Sequence, residues 1–94
     1  MKLVWTRHAK ERRLAIFLYI ANDNPDAALT LDVSFDTHAS RLLQFPHSGR
    51  NGRISGTKEI VVCGRYIIVY RVLSDAIQIL TIYHTAQQYP LNNS

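Results

Sequence analysis

A chain of 94 residues with 47% hydrophobic and 19% charged residues has the composition of one small globular domain, which excludes a disordered chain. No apolar run approaches the roughly 20 residues that cross a bilayer, and a single cysteine excludes an intrachain disulfide and a cysteine-rich zinc site. The net charge of +4 arises from residues 41–71, which carry six bases and one acid, because residues 1–40 carry five of each and residues 72–94 carry the single acid Asp75.

The first half of the chain predicts one strand and two helices. Residues 2–5 alternate as in a short strand, and Thr6 suits the N-cap of a helix over residues 7–22. Asn24-Pro25 suits the start of a second helix over residues 25–44. The helical stripes expected to face a core are Ala9, Arg13, Phe17 and Ile20 or Ala21 in the first helix, and Ala28, Leu31, Phe35, Ala39 and Leu42 in the second.

The second half predicts a loop and a strand meander. Residues 46–57 have no periodicity and hold three glycines, so we expect a loop. Runs at 58–63, 66–73 and 76–84 are separated by short breaks, which favours antiparallel hairpins. The expected fold is therefore α+β in the order β-α-α-β-β-β, with the helices packed across an antiparallel sheet. We expect residues 1–90 to form the single domain and residues 91–94 a frayed tail. Because the strand runs are apolar on both parities, one sheet face should lie under the helices and the other should be partly shielded.

Individual residues carry further expectations. Cys63 follows Ile-Val-Val and is expected in the core rather than as a nucleophile. Arg71 shares a strand face with Ile67 and Val69, so its stem should be buried, whereas the fold should depend least on the cations of the loop. His8, His38 and His47 lack metal-ligand spacing and are expected at the surface, so neither a metal nor a cofactor is expected. The N-terminus lacks a signal-peptide pattern, which favours a cytoplasmic protein.

Four stretches resemble toxins of the RelE/ParE superfamily in their order and spacing. They are Tyr-Ile-Ala at 19–21 before Asn-Pro-Asp-Ala-Ala at 24–28; Pro-His-Ser-Gly-Arg at 46–50 before Gly-Arg at 52–53; Gly-Thr-Lys-Glu-Ile-Val-Val at 56–62 before Tyr-Ile-Ile-Val-Tyr-Arg-Val at 66–72; and Ile-Leu-Thr-Ile-Tyr-His at 79–84 before Gln-Gln-Tyr-Pro at 87–90. Together they cover nearly the whole chain.

This resemblance implies the toxin of a bacterial type II toxin–antitoxin module. It implies a hetero-oligomer with a cognate antitoxin that carries a short acidic C-terminal segment, and no membrane partner. RelE-like members cut messenger RNA on the ribosome through its own 2′-hydroxyl, which requires a base, an acid and cations. ParE-like members inhibit DNA gyrase, which is protein binding rather than catalysis.

The middle strand favours the ParE-like branch. RelE-type nucleases commonly have an arginine where this chain has Ile67, and Arg71 follows Tyr70 as in the ParE-like pattern. This chain departs from that pattern at Lys58, Thr81 and Gln88, where arginine is frequent. The alternatives are a RelE-like messenger-RNA endoribonuclease and a weakly toxic or inactive homologue that still binds the antitoxin.

The candidate site residues are mostly cations of the second half. The resemblance and the charge indicate target or antitoxin binding by Arg50, Arg53, Lys58, Arg65, Arg71, His84 and Tyr89. Arg50 and Arg53 flank Gly52 and could converge on a phosphate or carboxylate, or bond to nearby carbonyls. For a nuclease the candidates are His84, Arg71, Lys58 and Tyr89, with His84 as acid or base. A solvated basic face that only aids solubility would have the same composition.

Overall fold

The structure, a computed structural model, describes residues 1–90, so the tail expected at 91–94 lies outside the described residues. The elements are β1 (Lys2–Trp5), α1 (Arg7–Ala21), α2 (Pro25–Arg41), β2 (Arg50–Asn51), β3 (Lys58–Val62), β4 (Tyr66–Val72) and β5 (Ala76–His84). The predicted α+β class is confirmed, with one strand, two helices and then a run of strands. No helix within residues 1–90 is long and apolar enough to span a membrane.

The five strands form one mixed sheet in the order β1-β5-β4-β3-β2. The β3–β4 and β4–β5 pairs are antiparallel, as the short turns predict, and β2 also pairs antiparallel with β3. β1 instead runs parallel to β5, with Lys2 opposite Ala76 and Trp5 opposite Ile79. The expectation of a purely antiparallel sheet was therefore wrong, because the whole domain separates β1 from β5 and no turn between them sets their relative direction. The predicted loop also contains β2, which adds a fifth strand.

Side chains at both helix starts explain where the helices begin. The Thr6 hydroxyl accepts from the Ala9 amide at 3.1 Å and donates to the Leu80 carbonyl at 3.2 Å, so one group caps α1 and ties it to the sheet. Asn24 caps α2 by accepting from the Ala27 amide at 3.1 Å. α2 ends at Arg41, three residues before the predicted end, because the chain continues to residue 44 as turns with i to i+3 hydrogen bonds.

The main core lies between the helices and one face of the sheet. It comprises Ala9, Ile16, Phe35, Ala39, Leu42, Val62, Ile68, Tyr70, Ile77, Ile79 and Ile82. The predicted α2 stripe is confirmed. In α1, Ala9 is buried as predicted, and Ile16 is buried rather than Phe17. The opposite, helix-free face carries a second cluster of Ile67, Val69 and Tyr83, with Leu80 and Tyr89 packed against it. Both faces are therefore covered in part, as the apolar pattern predicts.

A β-bulge in β5 adjusts which side chains reach each face. Val69 lies opposite Thr81 and Tyr70 opposite Ile79, so Leu80 is an extra residue without a partner on β4. Because of this extra residue, Ile79 and the third residue after it, Ile82, both pack in the main core. The sequence shows no sign of this irregularity.

Two expectations about single residues were wrong. Cys63 is exposed, because it has φ 54° and forms a tight turn with Gly64 at φ 68°, which ends the strand one residue early. Arg71 is exposed as well. The apolar cluster on this face of the sheet extends along β4 as far as Val69 and does not reach Arg71.

Candidate functional site

A buried carboxylate organises the helix-free face of the sheet. Glu59 lies opposite Val69 and its side chain is 1% exposed. It accepts hydrogen bonds from Arg50 Nε at 3.3 Å and Nη2 at 3.2 Å, and from the backbone amide of Arg53 at 3.2 Å. A carboxylate removed from water requires this kind of compensation, so Arg50 and the loop backbone act as its counter-charge. The loop is therefore fixed to the sheet through Glu59.

Arg53 completes this group, which we call the Glu59 cluster: Arg50, Arg53, Glu59, Tyr83 and Tyr89. Arg53 Nη1 donates to the Tyr83 hydroxyl at 2.6 Å, and the guanidinium carbon lies 5.4 Å from the centre of the same ring. Tyr89 stacks on Tyr83 with ring centres 4.4 Å apart and planes 14° from parallel. Arg53 and Tyr89 thus both lie against the Tyr83 ring.

The electrostatics of the cluster keep both tyrosines protonated. Burial raises the pKa of Tyr83, and the negative charge of Glu59 raises it further, while Arg53 lowers it in part. Burial and Glu59 raise the pKa of Tyr89 in the same way. The two phenols are therefore hydrogen-bonding and stacking groups at neutral pH rather than proton acceptors.

His84 lies on the other side of the sheet. Its ring packs edge-on against Tyr66 at 5.1 Å, next to the main core. Its Nδ1 accepts from the Ala86 amide at 2.9 Å, and its backbone amide donates to the Gln87 side chain at 2.8 Å. His84 thus holds the turn that follows β5, away from the Glu59 cluster.

The remaining predicted cations are dispersed. Lys58 Nζ lies 3.4 Å from Asn51 Oδ1, and Lys58 is opposite Tyr70, on the reverse face from Glu59. Arg65 is exposed at the turn between β3 and β4. Arg71 is five positions along β4 from Tyr66, the partner of His84, which is roughly 16 Å of strand.

The structure thus brings three predicted site residues together, namely Arg50, Arg53 and Tyr89. It does not place His84, Arg71, Lys58 and Tyr89 around one phosphate. Among residues 1–90, no group of three His, Cys, Asp or Glu side chains is arranged to hold a metal ion. The predicted site residues did not include Glu59 or Tyr83. The clue to Glu59 was its place as the one acid among six bases in residues 41–71.

Thr81 has a structural partner where the resemblance leads one to expect arginine. It is 9% exposed, and its Oγ1 lies 3.1 Å from His8 Nε2 on α1. The threonine side chain is small enough to pack against α1, and its contact with His8 joins α1 to β5.

The outer face of the helical hairpin is apolar and exposed. Leu14 and Leu18 of α1 are each 58% exposed, and Leu29 and Val33 of α2 are each 57% exposed. Four large apolar side chains on one face, with the opposite side of each helix packed on the sheet, are typical of a surface that binds another protein.

Comparisons with known proteins identify the family. The family model described as the ParE toxin of type II toxin-antitoxin system, parDE, matches residues 3–89. The chain belongs to the ParE toxin family. It is 41% identical over 90 residues to the candidate toxin Y4kP of Sinorhizobium fredii, across 95% of this chain and 93% of that protein. It is 33% identical over 86 residues to the toxin RelE2 of Caulobacter vibrioides, across 92% and 97%.

A solved structure agrees with this membership. This ParE-family chain superposes on a chain of the chromosomal ParDE TA system from P. aeruginosa with a TM-score of 0.80 and 25% identity, covering 89% of this chain and 95% of the other. The predicted resemblance to RelE/ParE toxins is confirmed.

Proposed function

We propose that this ParE-family chain is the toxin of a type II toxin–antitoxin module, that it slows growth by binding DNA gyrase, and that a cognate protein antitoxin neutralises it. The observation that carries the proposal is the family match over residues 3–89, nearly the whole domain. The fold contributes surface rather than a reaction centre, because its candidate acid, base and cations are spread over both faces of the sheet.

Two kinds of surface support a protein partner. The outer hairpin face exposes Leu14, Leu18, Leu29 and Val33, and residues 41–71 present an excess of cations. An antitoxin with an apolar helical part and an acidic part matches both. A permanent complex of this kind should bury on the order of 2,000 Å² or more in total.

The middle strand supports gyrase rather than messenger RNA as the target. Ile67 is 2% exposed in the cluster on the helix-free face, at the position where nucleases of the superfamily commonly carry an arginine. The tyrosines of that face are stacked on each other or bonded to Arg53. They are therefore occupied within the domain rather than free to stack on bases.

The test is induction of the chain in a bacterial host, followed by three measurements. Growth should slow, purified gyrase should lose supercoiling activity when the chain is added, and primer extension should show no new messenger-RNA ends. His84→Ala should leave these results unchanged, because no proton transfer depends on it, and His47→Ala serves as the exposed-histidine control.

Other outcomes identify the alternatives. New RNA ends that disappear in His84→Ala at an unchanged melting temperature would establish the endonuclease, since loss of an acid or base costs about 100-fold or more in rate. Normal growth together with tight antitoxin binding would establish a weakly toxic homologue.

A further inference from the structure

A cavity of about 520 Å³ opens on the helix side of the sheet, between α1 and the ends of β4 and β5. Its lining includes residues of the helix, of the two strands and of the turn that follows β5, and we call it the α1 slot. These residues are Arg12, Ala15, Tyr19, Tyr66, His84 and Gln87. No carboxylate belongs to the lining, so an anion in the slot would meet no side chain of its own charge.

Arg12 brings to the slot a guanidinium that is only partly engaged. Its Nε donates to the Ile82 carbonyl at 3.2 Å, which orients the group against β5. Arg12 is half-buried, yet it pairs with no carboxylate between residues 1 and 90, and its two Nη groups donate to no residue in that range. The other half-buried arginine of α1, Arg13, is instead bound by Asp32. Arg12 therefore offers oriented, charged donors that lack a protein acceptor.

His84 and Gln87 are two further donors, and contacts with the backbone orient both. The Ala86 amide donates to His84 Nδ1 at 2.9 Å, so the proton of the neutral ring is on Nε2. Gln87 Oε1 accepts from the His84 amide at 2.8 Å, which leaves the NH₂ group of the same side chain as a donor. Within the described part of the chain, neither this group nor His84 Nε2 is hydrogen-bonded.

A set of three separate donors in one cavity matches a phosphate group better than a carboxylate. A phosphate presents three acceptor oxygens in a tetrahedral arrangement, whereas a carboxylate presents two in one plane. The Arg12 guanidinium can bind two of these oxygens, and His84 and Gln87 can bind the third. Arg12 and Gln87 also line a second cavity of about 640 Å³, and its lining likewise contains no carboxylate.

The other end of the α1 slot is aromatic. Tyr19 follows Arg12 by seven positions, which is roughly 10 Å along the helix axis. The Tyr19 ring is 82% exposed, while the Tyr66 ring is held edge-on to His84 at 5.1 Å. Between the two ends, Ala15 is too small to fill the slot. A planar ring joined to the phosphate could therefore stack on Tyr19.

We propose that the α1 slot binds a nucleoside monophosphate, with its phosphate on Arg12, His84 and Gln87 and its base against Tyr19. The chemistry that the slot recognises is the phosphate group, so the free anion is the other source to be distinguished. The site lies on the opposite side of the sheet from the Glu59 cluster. It requires no proton transfer by His84, and it does not depend on the proposed function.

The experiment titrates adenosine monophosphate to millimolar concentration into the isotope-labelled full chain. In NMR spectra, the signals of Arg12 Nε, the Gln87 side-chain amide and the Ala86 backbone amide should shift in a saturable manner with one dissociation constant. Inorganic phosphate should shift the same signals with several-fold weaker affinity and leave the Tyr19 ring signals unchanged. Adenosine, which lacks the phosphate, should bind at least tenfold more weakly than the nucleotide.

Substitutions separate the two ends of the slot. Arg12→Gln should weaken nucleotide binding about tenfold, because the charged donors are lost. Tyr19→Ala should weaken binding of the nucleotide several-fold and leave that of inorganic phosphate unchanged, whereas Tyr19→Phe keeps the ring and should bind normally. Tyr19 is exposed, so its replacement leaves the fold intact. Arg7→Gln, an exposed position of the same helix outside the slot, is the control for unspecific attraction of anions.

The inference is overturned if the nucleotide leaves the Arg12 and Gln87 signals unchanged, or if adenosine binds as tightly as the nucleotide. It is also overturned if Arg7→Gln weakens binding as much as Arg12→Gln does. Equal affinity for nucleotide and inorganic phosphate, with unaltered Tyr19 ring signals, would overturn the contact with the base and assign the slot to the free anion.

Discussion

The cations of residues 41–71 differ in what each one contacts. Arg50 neutralises buried Glu59, whereas Arg71 has no ion pair or side-chain hydrogen bond among residues 1–90. This reverses the expectation that the loop cations matter least to the fold and that Arg71 is anchored in it. A cation on a loop can therefore stabilise the fold when its partner is a buried carboxylate of the sheet.

We therefore expect Arg50→Gln to lower the free energy of unfolding by roughly 1–3 kcal/mol, because a buried carboxylate loses two donors. Water reaches the half-exposed Arg50 and limits the loss. Arg71→Gln should change stability by less than about 0.5 kcal/mol. Urea titrations of both variants measure the difference, and equal losses would contradict the assignment.

Tyr70 provides a stability dependence at high pH. Its hydroxyl donates to the Pro46 carbonyl at 2.9 Å and accepts from the Gly49 amide at 3.0 Å. Burial raises the pKa of Tyr70 above its usual value, against a lowering by the Gly49 hydrogen bond. Since the folded state holds the proton more tightly, this stabilisation is complete below about pH 10 and is lost as the pH rises through the folded pKa.

Tyr70→Phe should cost roughly 1–3 kcal/mol at about pH 8, because the Gly49 amide and the Pro46 carbonyl lose their partner. The variant should also lose less stability than the unmodified chain between about pH 9 and pH 11, where tyrosine titrates. Urea midpoints at both ends of that range test this. Tyr19→Phe, at a position 82% exposed, is the control and should keep the original pH dependence.

At the scale of elements, Arg13 joins β1, α1 and α2. Its Nε donates to Asp32 Oδ1 at 2.7 Å, and its Nη2 donates to Asp32 Oδ2 and to the Asp32 carbonyl, each at 3.1 Å. The guanidinium also lies 4.7 Å from the centre of the Trp5 ring. Planar, forked donors are needed for this set of contacts, and a lysine cannot supply them.

Arg13→Lys should therefore destabilise the domain by about 1–2 kcal/mol, measured by urea unfolding. Arg7→Lys is the matched control, because the Arg7–Glu11 pair is exposed at 93% and 62% and contributes little. A loss for Arg7→Lys as large as that for Arg13→Lys would show that charge alone, rather than the forked geometry, matters.

Local chemistry explains which elements the sequence predicts. The side chains of Thr6 and Asn24 cap the two helices, and the Pro25 ring favours the first position of α2. The runs near β3, β4 and β5 are separated by tight turns. The parallel direction of β1, the bulge at Leu80 and the exposure of Arg71 depend instead on contacts between residues far apart in the chain. Neither alternation nor composition encodes those contacts.

In the candidate site too, local features could be predicted from the sequence and contacts between distant residues could not. The sequence indicates Arg50 and Arg53 because charge and glycine spacing are local features. It does not indicate that Tyr83 accepts from Arg53, since the two are 30 residues apart.

At the scale of the whole molecule, apolar and cationic surfaces occupy different regions. The outer hairpin face belongs to residues 1–40, whose charges balance, while the excess of cations belongs to residues 41–71. A partner that covers both would bind the hairpin through apolar contacts and the cations of residues 41–71 through acids. Apolar contacts should then determine the lifetime of the complex, whereas the charges should determine its rate of formation.

We expect the association rate of the chain with its cognate antitoxin to fall as salt rises from about 50 to about 300 mM, because screening shortens the reach of exposed charges to about 10 Å or less above 0.1 M. The dissociation rate should change much less over the same range.

The double variant Arg65→Gln/Arg71→Gln removes two exposed cations at little cost in stability. Its association rate should be lower at 50 mM salt and should depend less steeply on salt. Leu18→Ala, on the hairpin face, should instead raise the dissociation rate and keep the original salt dependence. Stopped-flow mixing at the two salt concentrations measures both rates. An association rate that is independent of salt, or a double variant with an unchanged slope, would contradict the role given to the cations.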